Sequence, residues 1–402
     1  MTSSPIRLGV IGLGRAFTLM LPTFQQDARV RLVAATDPNQ AACRRFVQDF
    51  GGKAHAGVAE LCADPDVQAV YVATPHQLHA EHVCLAAAHG KHVLVEKPMA
   101  ITLAECQRMV DAARAAGVHL IVGHSHSFDG PVLQARRLID SGAYGAVRML
   151  TALNFTDFLF RPRRPEELDT AQGGGVIFSQ AAHQIDILRL LGGGRLRSVR
   201  AITGAWDVSR PTEGAYGALL AFADGAFATA VYSGYAHYDS DEAHGWIGEM
   251  GRAKRADDYG AARRKLAHRP SPEEEAGLKA AANYGGATAA PQPPAPHHQH
   301  FGHVLVSCDG ADLRLTPSGV MVYGNERREL HALPPPAVPR AEVIDELWQA
   351  VRQARPPLHD GRWALATTEA CLALLESAAS GRDIILHHQV GLPAAADSRL
   401  PA

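Results

Sequence analysis

Short runs of apolar residues alternate with amphipathic stretches along the first part of the chain, up to about Gly123. The runs are apolar throughout, which is typical of strands in a parallel sheet that is covered on both faces. In the stretches between them, apolar residues recur at helical spacing. This order predicts a doubly wound parallel sheet, a Rossmann domain of the α/β class, over residues 1–127. The predicted strands are Ile6–Ile11, Val30–Ala35, Ala69–Ala73, His92–Glu96 and His119–Val122, and the predicted helices are Ala16–Gln26, Gln40–Phe50, His79–His89 and Leu103–Ala116.

The pattern changes in residues 128–402, where strand-like runs are separated by turn dipeptides such as Asp224-Gly225. These runs predict an α+β domain with a large, mostly antiparallel open sheet and helices on one face. Because such a sheet leaves one face uncovered, we expect the subunits to pair. Residues 239–301 interrupt the rhythm with charged and Pro-rich stretches, which predicts a surface insertion that is partly disordered. Residues 393–402 are predicted to be a loose tail.

The composition is that of an ordinary globular enzyme, and it narrows the possible partners. The 402 residues divide most simply into two domains, with 47% hydrophobic and 20% charged residues. The formal net charge of −2 gives no reason to expect a nucleic acid or an anionic membrane as partner. No signal peptide or membrane-spanning run is visible. The six cysteines are scattered without a Cys-x-x-Cys pair, which indicates free thiols and a cytoplasmic location.

A glycine-rich turn, Gly12-Leu13-Gly14, directly follows the first predicted strand, and Arg15 comes next. The first glycine permits a tight turn, and the second lets backbone N–H groups approach a pyrophosphate at the start of the following helix. Asp37 ends the second strand, where a carboxylate can accept hydrogen bonds from the hydroxyls of the adenosine ribose. A carboxylate there repels a 2′-phosphate, so the sequence predicts NAD rather than NADP. The alternative for Asp37 is a turn residue before Pro38.

A second motif, Glu96-Lys97-Pro98, closes the strand His92–Val95. Parallel strands end at the same edge of a sheet, so this motif brings a titratable amine to the edge that carries the glycine-rich turn. A partly desolvated amine beside a positive nicotinamide would have a lowered pKa suited to moving a proton. The layout is therefore that of a nicotinamide oxidoreductase whose acid/base is a lysine.

The stretches 73–79 (Ala-Thr-Pro-His-Gln-Leu-His) and 90–98 (Gly-Lys-His-Val-Leu-Val-Glu-Lys-Pro) resemble the glucose–fructose oxidoreductase, inositol dehydrogenase and rhizopine catabolism superfamily, Gfo/Idh/MocA. The resemblance covers nearly the whole chain and implies a two-domain, NAD-dependent oxidoreductase. It also implies a cis peptide bond between Lys97 and Pro98, and assembly as a homodimer or a homotetramer. By this resemblance Lys97 is the catalytic lysine, and the residues that border the cofactor are Gly12, Leu13, Gly14, Arg15, Asp37, Thr74, Pro75, His79, Glu96 and Lys97.

The segment 173–186 resembles the second signature of the same superfamily, in which Asp-x-x-x-His places two side chains one helical turn apart, both facing the substrate. This chain has His183 at the histidine position, and Asp186 follows it, but Ser179 replaces the aspartate. Ser179 can hydrogen-bond a substrate hydroxyl or His183, but it cannot act as a base at neutral pH. We expect His183 to take part in catalysis, and a structural histidine is the alternative.

Three arginines that two prolines stiffen, Arg161, Arg163 and Arg164, follow the predicted strand Val147–Asn154. A fixed group of guanidinium ions suits bidentate binding of carboxylates, so we expect these arginines to bind substrate. A solvated basic loop or a subunit contact is the alternative. The segment 123–128 joins the two predicted domains, and one of its histidines, His124 or His126, is also expected to contact the substrate, unless they are structural hinge residues. The histidines of residues 297–303 lack the spacing of a metal site, and no metal is predicted.

The segments 155–170 and 356–363 resemble one subgroup of the superfamily, the phthalate 4,5-cis-dihydrodiol dehydrogenases of aromatic-acid catabolism. This resemblance agrees with the arginines, because a phthalate diol carries two carboxylates. It implies oxidation of the diol to a catechol with reduction of NAD⁺. An inositol or sugar dehydrogenase, an NAD-retaining glycosidase and a cofactor-binding protein without turnover are the alternatives. Net release of NADH would distinguish the dehydrogenases from the last two.

Overall fold

A computed structural model describes residues 4–123, 125–258, 260–268, 271–288 and 294–392. Their contacts divide the chain into two compact units. The first unit comprises the described residues of Met1–His124, Ala276–Pro294 and Val338–Thr368, and the second comprises those of Ser125–Glu275, Ala295–Ala337 and Glu369–Ala402.

The first unit is built on a parallel sheet, as the sequence predicted. Within the described residues six strands pair in the order β3-β2-β1-β4-β5-β6. The strands are β1 (Ile6–Ile11), β2 (Val30–Thr36), β3 (Lys53–Ala54), β4 (Ala69–Val72), β5 (His92–Val95) and β6 (Leu120–Val122). The helices are α1 (Arg15–Gln26), α2 (Gln40–Phe50), α3 (Val58–Ala63), α4 (His79–Ala88) and α5 (Leu103–Ala116). The doubly wound Rossmann prediction is confirmed.

Two segments that the sequence placed in the second domain belong to the first unit. Tyr284 packs edge-on against Phe17 with 5.2 Å between ring centroids, and its hydroxyl donates to Asp49 over 2.6 Å. Arg29 forms an ion pair with Asp345 at 2.6 Å in α10 (Ala341–Gln353). These contacts join residues that are far apart in sequence, so local patterning could not reveal them.

The second unit is built on an open mixed sheet. Among the described residues nine strands pair in the order β14-β13-β12-β11-β7-β10-β9-β8-β15, with only β7 and β10 parallel. The strands are β7 (Val147–Phe155), β8 (Leu196–Gly204), β9 (Ala215–Phe222), β10 (Phe227–Ser233), β11 (His303–Cys308), β12 (Ala311–Thr316), β13 (Gly319–Gly324), β14 (Arg328–Ala332) and β15 (Ile384–Ile385). The mostly antiparallel prediction is confirmed.

Helices α6 (Gly130–Asp140) and α7 (Ala182–Leu191) pack against the sheet of the second unit. Every residue of α7 is buried. The strands also carry exposed apolar side chains, among them Ile202 and Leu219. That subunits pair through this surface stays a prediction. The remaining helices are α8 (Ala261–Lys265), α9 (Pro272–Ala280) and α11 (Gly361–Ser380).

The segment 239–301 is not a surface insertion throughout, which corrects the sequence prediction. Asp239 and Asp241 are buried, and Lys254 forms ion pairs with both carboxylates, which compensates for the burial of their charges. Phe301 is also buried and stacks against Tyr232 at 6.1 Å between ring centroids. The charged residues of this segment suggested that it is exposed to solvent, but Asp239, Asp241 and Lys254 pair with one another within the fold. The predicted tail, 393–402, lies outside the described residues.

Candidate active site

The glycine-rich turn links β1 to α1 and has the conformation that its sequence predicted. Gly12 has a φ of +96°, and a Cβ there would lie 2.8 Å from the carbonyl oxygen of Ala73, so only glycine fits without strain. Gly14 caps α1 without a side-chain hydrogen bond, and a Cβ added to it would meet no atom within 4 Å. The amide groups that begin α1 thus adjoin open space of the kind that a pyrophosphate fills.

Asp37 connects the glycine-rich turn to the end of β2. One carboxylate oxygen accepts the N–H of Leu13 over 2.7 Å, and the other accepts the N–H of Asn39, also over 2.7 Å. Each oxygen can accept a further hydrogen bond, so these contacts leave capacity for ribose hydroxyls. Arg15, the first residue of α1, is exposed and reaches the carbonyl of Ala282 over 3.4 Å.

His79 has a structural position that the sequence did not predict. Its side chain is fully buried, with Nδ1 3.0 Å from the carbonyl oxygen of Pro98 and Nε2 2.9 Å from that of Thr74. Burial lowers its pKa, although the carbonyl contacts oppose this. The imidazole therefore braces the loops after β4 and β5 against each other. Thr74 and Pro75 are half-buried in the first of these loops, where Thr74 Oγ1 lies 3.1 Å from Nδ1 of His82.

Lys97 and Glu96 follow β5 at the carboxyl edge of the parallel sheet. Both side chains are half-buried, and the Lys97–Pro98 peptide bond is cis, as the resemblance implied. Tyr71 donates its hydroxyl hydrogen to Oε1 of Glu96 over 2.5 Å, which holds that carboxylate beside β4. Lys97 therefore comes directly after a residue that is fixed both by the sheet and by a side-chain hydrogen bond.

His183 lies in the first turn of α7, and Ser179 lies in the π-helical turn Ile177–Ala181 that precedes it. The hydroxyl of Ser179 donates to the carbonyl of Gly175. His183 Nδ1 accepts the backbone N–H of His126 over 3.3 Å. The imidazole of His183 is 6% exposed, and its ring centroid lies 5.0 Å from that of Phe301.

His126 is the centre of a buried ionic network in the second unit. Its Nδ1 lies 2.7 Å from Asp129, and its Nε2 lies 3.3 Å from Glu249. Burial by itself lowers the pKa of His126, but the two carboxylates raise it to about 9. Burial correspondingly raises the pKa of Glu249, and the hydrogen bond and charge of His126 reduce it to about 2. His126 is therefore an imidazolium held between two carboxylates at neutral pH.

Asp186, one turn after His183, is bound by the same N-terminal segment of the second unit. Its Oδ2 accepts the hydroxyls of Ser125 and Ser127, the first over 2.5 Å. Arg189 also lies 3.9 Å from its Oδ1. Asp186 thus fixes the segment that carries the His126 N–H.

The three predicted substrate-binding arginines do not converge. Arg161 has a 46% exposed side chain, and its Nε lies 3.7 Å from Asp157. Arg163 stacks on the ring of Phe158 at 3.6 Å and donates to its carbonyl over 2.8 Å. Burial and the nearby charges of other arginines lower the pKa of Arg163 to about 10. Arg164 pairs locally with Glu166 at 3.0 Å.

Two cavities adjoin this arginine segment. Arg161 lines one of about 550 Å³, together with Asn154, Thr156 and Glu249. Arg163 lines the other, of about 770 Å³. Glu249, which lines the Arg161 cavity, also contacts His126.

Sequence reasoning missed Asp129, Glu249 and Phe301, and it did not predict the ionic network around His126. The spacing of His126 and Asp129, three residues apart, was a usable signal for a paired histidine. Glu249 and Phe301 gave none, because they lie in the segment that was interpreted as a surface insertion. His124 lies outside the described residues, so its predicted role is not addressed by the structure.

The histidines at the end of that segment bond to the backbone. His298 Nε2 lies 2.8 Å from the carbonyl oxygen of Pro334, and His300 Nε2 lies 2.8 Å from that of Ile247. Within the described residues, no three His, Cys, Asp or Glu side chains lie close enough together to hold a metal ion. The helices in that part also include none with the length and apolarity needed to cross a membrane.

Comparison with known sequences identifies both units. The family model described as "Oxidoreductase family, NAD-binding Rossmann fold" matches residues 6–124, and the model described as "GFO/IDH/MocA C-terminal domain" matches residues 132–254. The first match agrees with the open space beside Gly14 and with the position of Asp37. The chain therefore binds NAD.

Individual relatives extend the match to almost the full length. The chain is 50% identical to the 1-carboxy-3-chloro-3,4-dihydroxycyclohexa-1,5-diene dehydrogenase of Comamonas testosteroni over 374 residues, which is 92% of this chain and 94% of that protein. It is 29% identical to the myo-inositol 2-dehydrogenase of Thermotoga maritima, over 61% of this chain and 74% of that one. A crystal structure of a protein described as a dehydrogenase from Bordetella bronchiseptica RB50 superposes with a TM-score of 0.89 at 44% identity, covering 95% and 100% of the two chains.

Proposed function

Because the chain belongs to the Gfo/Idh/MocA family of NAD-dependent oxidoreductases, we propose that it oxidises a cis-diol on a carboxylated cyclohexadiene ring to a catechol. A 4,5-dihydro-4,5-dihydroxyphthalate is the first candidate substrate. The observation that carries this proposal is the 50% identity, over nearly the whole length of both chains, to a dehydrogenase named for a carboxylated dihydroxycyclohexadiene. The inositol dehydrogenase is a more distant and less complete match.

The reaction removes a hydride from a carbinol carbon and a proton from its hydroxyl. When bound, NAD⁺ supplies the hydride acceptor. We assign the proton to the amine of Lys97, which follows a fixed strand end and is only half-buried. The C–H and O–H bonds break as the C=O bond forms, and the resulting enone tautomerises to a catechol. Formation of the aromatic ring favours this direction.

Among the three arginines, Arg161 is the best candidate to hold the substrate carboxylate. Its guanidinium is half-exposed and lines the cavity that also contains Thr156 and Glu249. Its 3.7 Å separation from Asp157 exceeds the length of a good hydrogen bond, so a ligand can compete for it. Arg163 is occupied by the carbonyl and ring of Phe158, and Arg164 is neutralised by Glu166.

The substrate class is tested by the reduction of NAD⁺, recorded with a matched set of compounds. We expect NADH to accumulate with carboxylated cis-dihydrodiols and to accumulate much more slowly with the same diols lacking the carboxylate. Faster NADH formation with myo-inositol or an aldose would replace this proposal by a polyol dehydrogenase. Product formation without NADH release would indicate the retained-cofactor chemistry of a glycosidase.

Arg161→Ala tests the carboxylate assignment within that assay. Charged hydrogen bonds contribute about 1.5–3 kcal/mol, so we expect KM to rise by roughly 10- to 100-fold with little change in kcat. Arg161→Lys should restore only part of the affinity, because lysine cannot form the paired guanidinium contact. Arg164→Ala is the matched control and should leave KM close to the wild-type value. Equal effects of the two alanine variants would contradict the assignment.

A further inference from the structure

The larger of the two cavities, about 770 Å³, is lined by residues of the second unit alone and shares no lining residue with the Arg161 cavity. Its volume is in the range of small-molecule sites. One part of its wall is apolar and includes Phe160, Leu168, Leu266 and three prolines. The other part carries three arginines, which are Arg163, Arg210 and Arg263.

Two of these arginines, Arg263 and Arg163, are held in the same way. The guanidinium carbon of Arg263 lies 3.8 Å from the ring centroid of Phe160, and that of Arg163 lies 3.6 Å from the ring centroid of Phe158. Each also donates one N–H to a backbone carbonyl, Arg263 to that of Tyr235 and Arg163 to that of Phe158. These contacts orient the two guanidinium groups, and a guanidinium has five N–H donors, so donors remain for a ligand.

The charges of these two groups are not neutralised. Among the described residues, neither Arg163 nor Arg263 forms an ion pair with a carboxylate. Arg210, by contrast, pairs with Glu275 at 2.7 Å, and both of these side chains are buried. Burial, together with the positive charge of Arg210, lowers the pKa of Arg163 to about 10, although Glu167 opposes the shift. An anion in the cavity would stabilise the charged form of the unpaired arginines.

The other acidic side chains of the wall, Asp169 and Asp207, are bound to local turns. Asp169 accepts the N–H of Ala171 over 3.0 Å and the side-chain amide of Gln172 over 2.8 Å. Asp207 accepts the N–H and the hydroxyl of Ser209 over 2.9 Å and 2.7 Å. These four hydrogen bonds offset the two negative charges locally. Each of the two stacked guanidinium groups has only a carbonyl and a ring to offset its charge.

We propose that this larger cavity is an accessory binding site for an aromatic carboxylate. The carboxylate binds at the edge of the Arg263 guanidinium, whose parallel N–H donors match two carboxylate oxygens. The ring packs on the apolar part of the wall, against Leu266 and the prolines. An inorganic anion would leave that apolar part without a contact, which is why the ligand class includes a ring. This inference goes beyond the proposed function and does not rest on it, since Arg161 lines the other cavity.

The first test uses the full-length protein without NAD and follows 4-fluorobenzoate, a ring with one carboxylate, by ¹⁹F NMR titration. Arg161→Ala is the starting variant, because it removes the arginine of the other cavity. We expect saturable binding of the probe to this variant. The further change Arg263→Met keeps an unbranched apolar chain without the charge. It should raise the dissociation constant by about 10- to 100-fold, the scale of a hydrogen bond to a charged group.

Arg264→Met in the same Arg161→Ala variant is the matched control. Arg264 is the next residue of α8, is exposed and does not line the cavity, so the dissociation constant should stay unchanged. The neutral analogue 4-fluorobenzamide should bind much more weakly than the carboxylate. Thermal unfolding of each variant checks that the fold is retained. No saturable binding to Arg161→Ala, or equal losses in the Arg263 and Arg264 variants, would overturn the proposal.

A second test locates the probe on the unsubstituted chain, so it does not depend on the folding of a variant. Leu266 is buried and lines the cavity. With ¹³C-labelled leucine methyl groups, we expect nuclear Overhauser effects between the probe ring and Leu266, which Leu266→Met assigns. Effects only to leucines outside the cavity wall would overturn the proposal. Neither test uses NAD or turnover, so a failure of the proposed dehydrogenase reaction would leave both results in place.

Discussion

The candidate site residues of the first unit are held in place differently from those of the second unit. In the first unit the cofactor region is made mainly of backbone: a glycine-rich turn, helix amides and strand ends that the parallel sheet holds in place. In the second unit the candidate residues are held by side-chain charges: the buried His126 and Asp129 and the half-buried Glu249. The first arrangement needs only the correct local conformation. The second needs each charge to keep its partner, because an unpaired buried charge is strongly unfavourable.

The two regions should therefore differ in how they respond to pH. Backbone amides at a helix terminus do not titrate, so the cofactor region should respond little to pH. The ionic network of the second unit contains a histidine whose protonation depends on two carboxylates, so this region should respond strongly. The first unit also carries titratable side chains on this scaffold, namely Asp37, Glu96 and Lys97, and Lys97 is the one to which the proposed reaction assigns a proton.

Replacement of Lys97 by alanine should have the largest effect. We expect kcat to fall by about 10²- to 10⁴-fold, the usual contribution of a general acid or base, while NAD binding measured by calorimetry stays near wild type. Lys91, at the other end of β5, is the matched control because its buried Nζ donates to the carbonyls of Asp64 and Val67. Lys91→Met should lower the unfolding temperature but keep kcat. Near-normal turnover by Lys97→Ala would remove this lysine from the mechanism.

The fold of the first unit was largely predictable, because its signals are local. Helix α5 was predicted with the observed bounds, since Thr102 caps its start and Gly117, with a φ of +65°, ends it. The short elements β3 and α3 were missed. Both residues of β3 are exposed, so no hydrophobic run indicates that strand. In β14, likewise, four of five residues are exposed, and this strand was not predicted.

The site of the second unit was predictable only where it follows a family motif. His183 was found through the glycine-rich segment before it, but the direction of the Ser179 hydroxyl depends on a π-helical turn that has no sequence signal. Glu249 contacts His126 across 123 positions of the chain. It lies just before the charged stretch 252–265, and a charged stretch ordinarily indicates exposure to solvent. Pairing of charges within the fold is a tertiary property, and the sequence pattern does not contain it.

The pH dependence of stability should be the next largest effect and should be specific to the ionic network. The pKa of His126 is raised to about 9, so its charge stabilises the fold fully below about pH 6.5, and this contribution is lost as pH rises towards 9. The loss should amount to at most about 3 kcal/mol. We expect the unfolding temperature of the wild type to fall between these pH values.

Glu249→Gln should reduce that pH dependence, because His126 then has one carboxylate partner instead of two. Its unfolding temperature should be lower than that of the wild type near pH 6.5, and the difference should narrow towards pH 9. Glu242→Gln, an exposed change in the same segment, is the control and should follow the wild-type curve. A Glu249→Gln curve parallel to the wild-type curve would show that the network does not govern the pH response.

Two glycines of the cofactor turn give the smallest effects, and they test whether this region is truly a backbone site. Gly14→Ala adds a Cβ that meets no protein atom within 4 Å, at a φ of −79° that alanine adopts readily. Its stability should therefore change by less than about 1 kcal/mol. NAD affinity should still fall, because the methyl group occupies the space beside the helix amides. Calorimetric titration with NAD and thermal unfolding would measure the two quantities separately.

Gly12→Ala, in contrast, should lower the stability of the protein. Its φ of +96° and the 2.8 Å approach to the carbonyl oxygen of Ala73 force strain into the folded protein itself, which costs about 1–3 kcal/mol. The unfolding temperature should thus fall in Gly12→Ala. In Gly14→Ala the unfolding temperature should stay the same while the affinity for NAD falls. If Gly14→Ala bound NAD as tightly as the wild type, the helix amides would not contact the pyrophosphate. The cofactor region would then depend on side chains, as the second unit does, and the contrast between the two units would be lost.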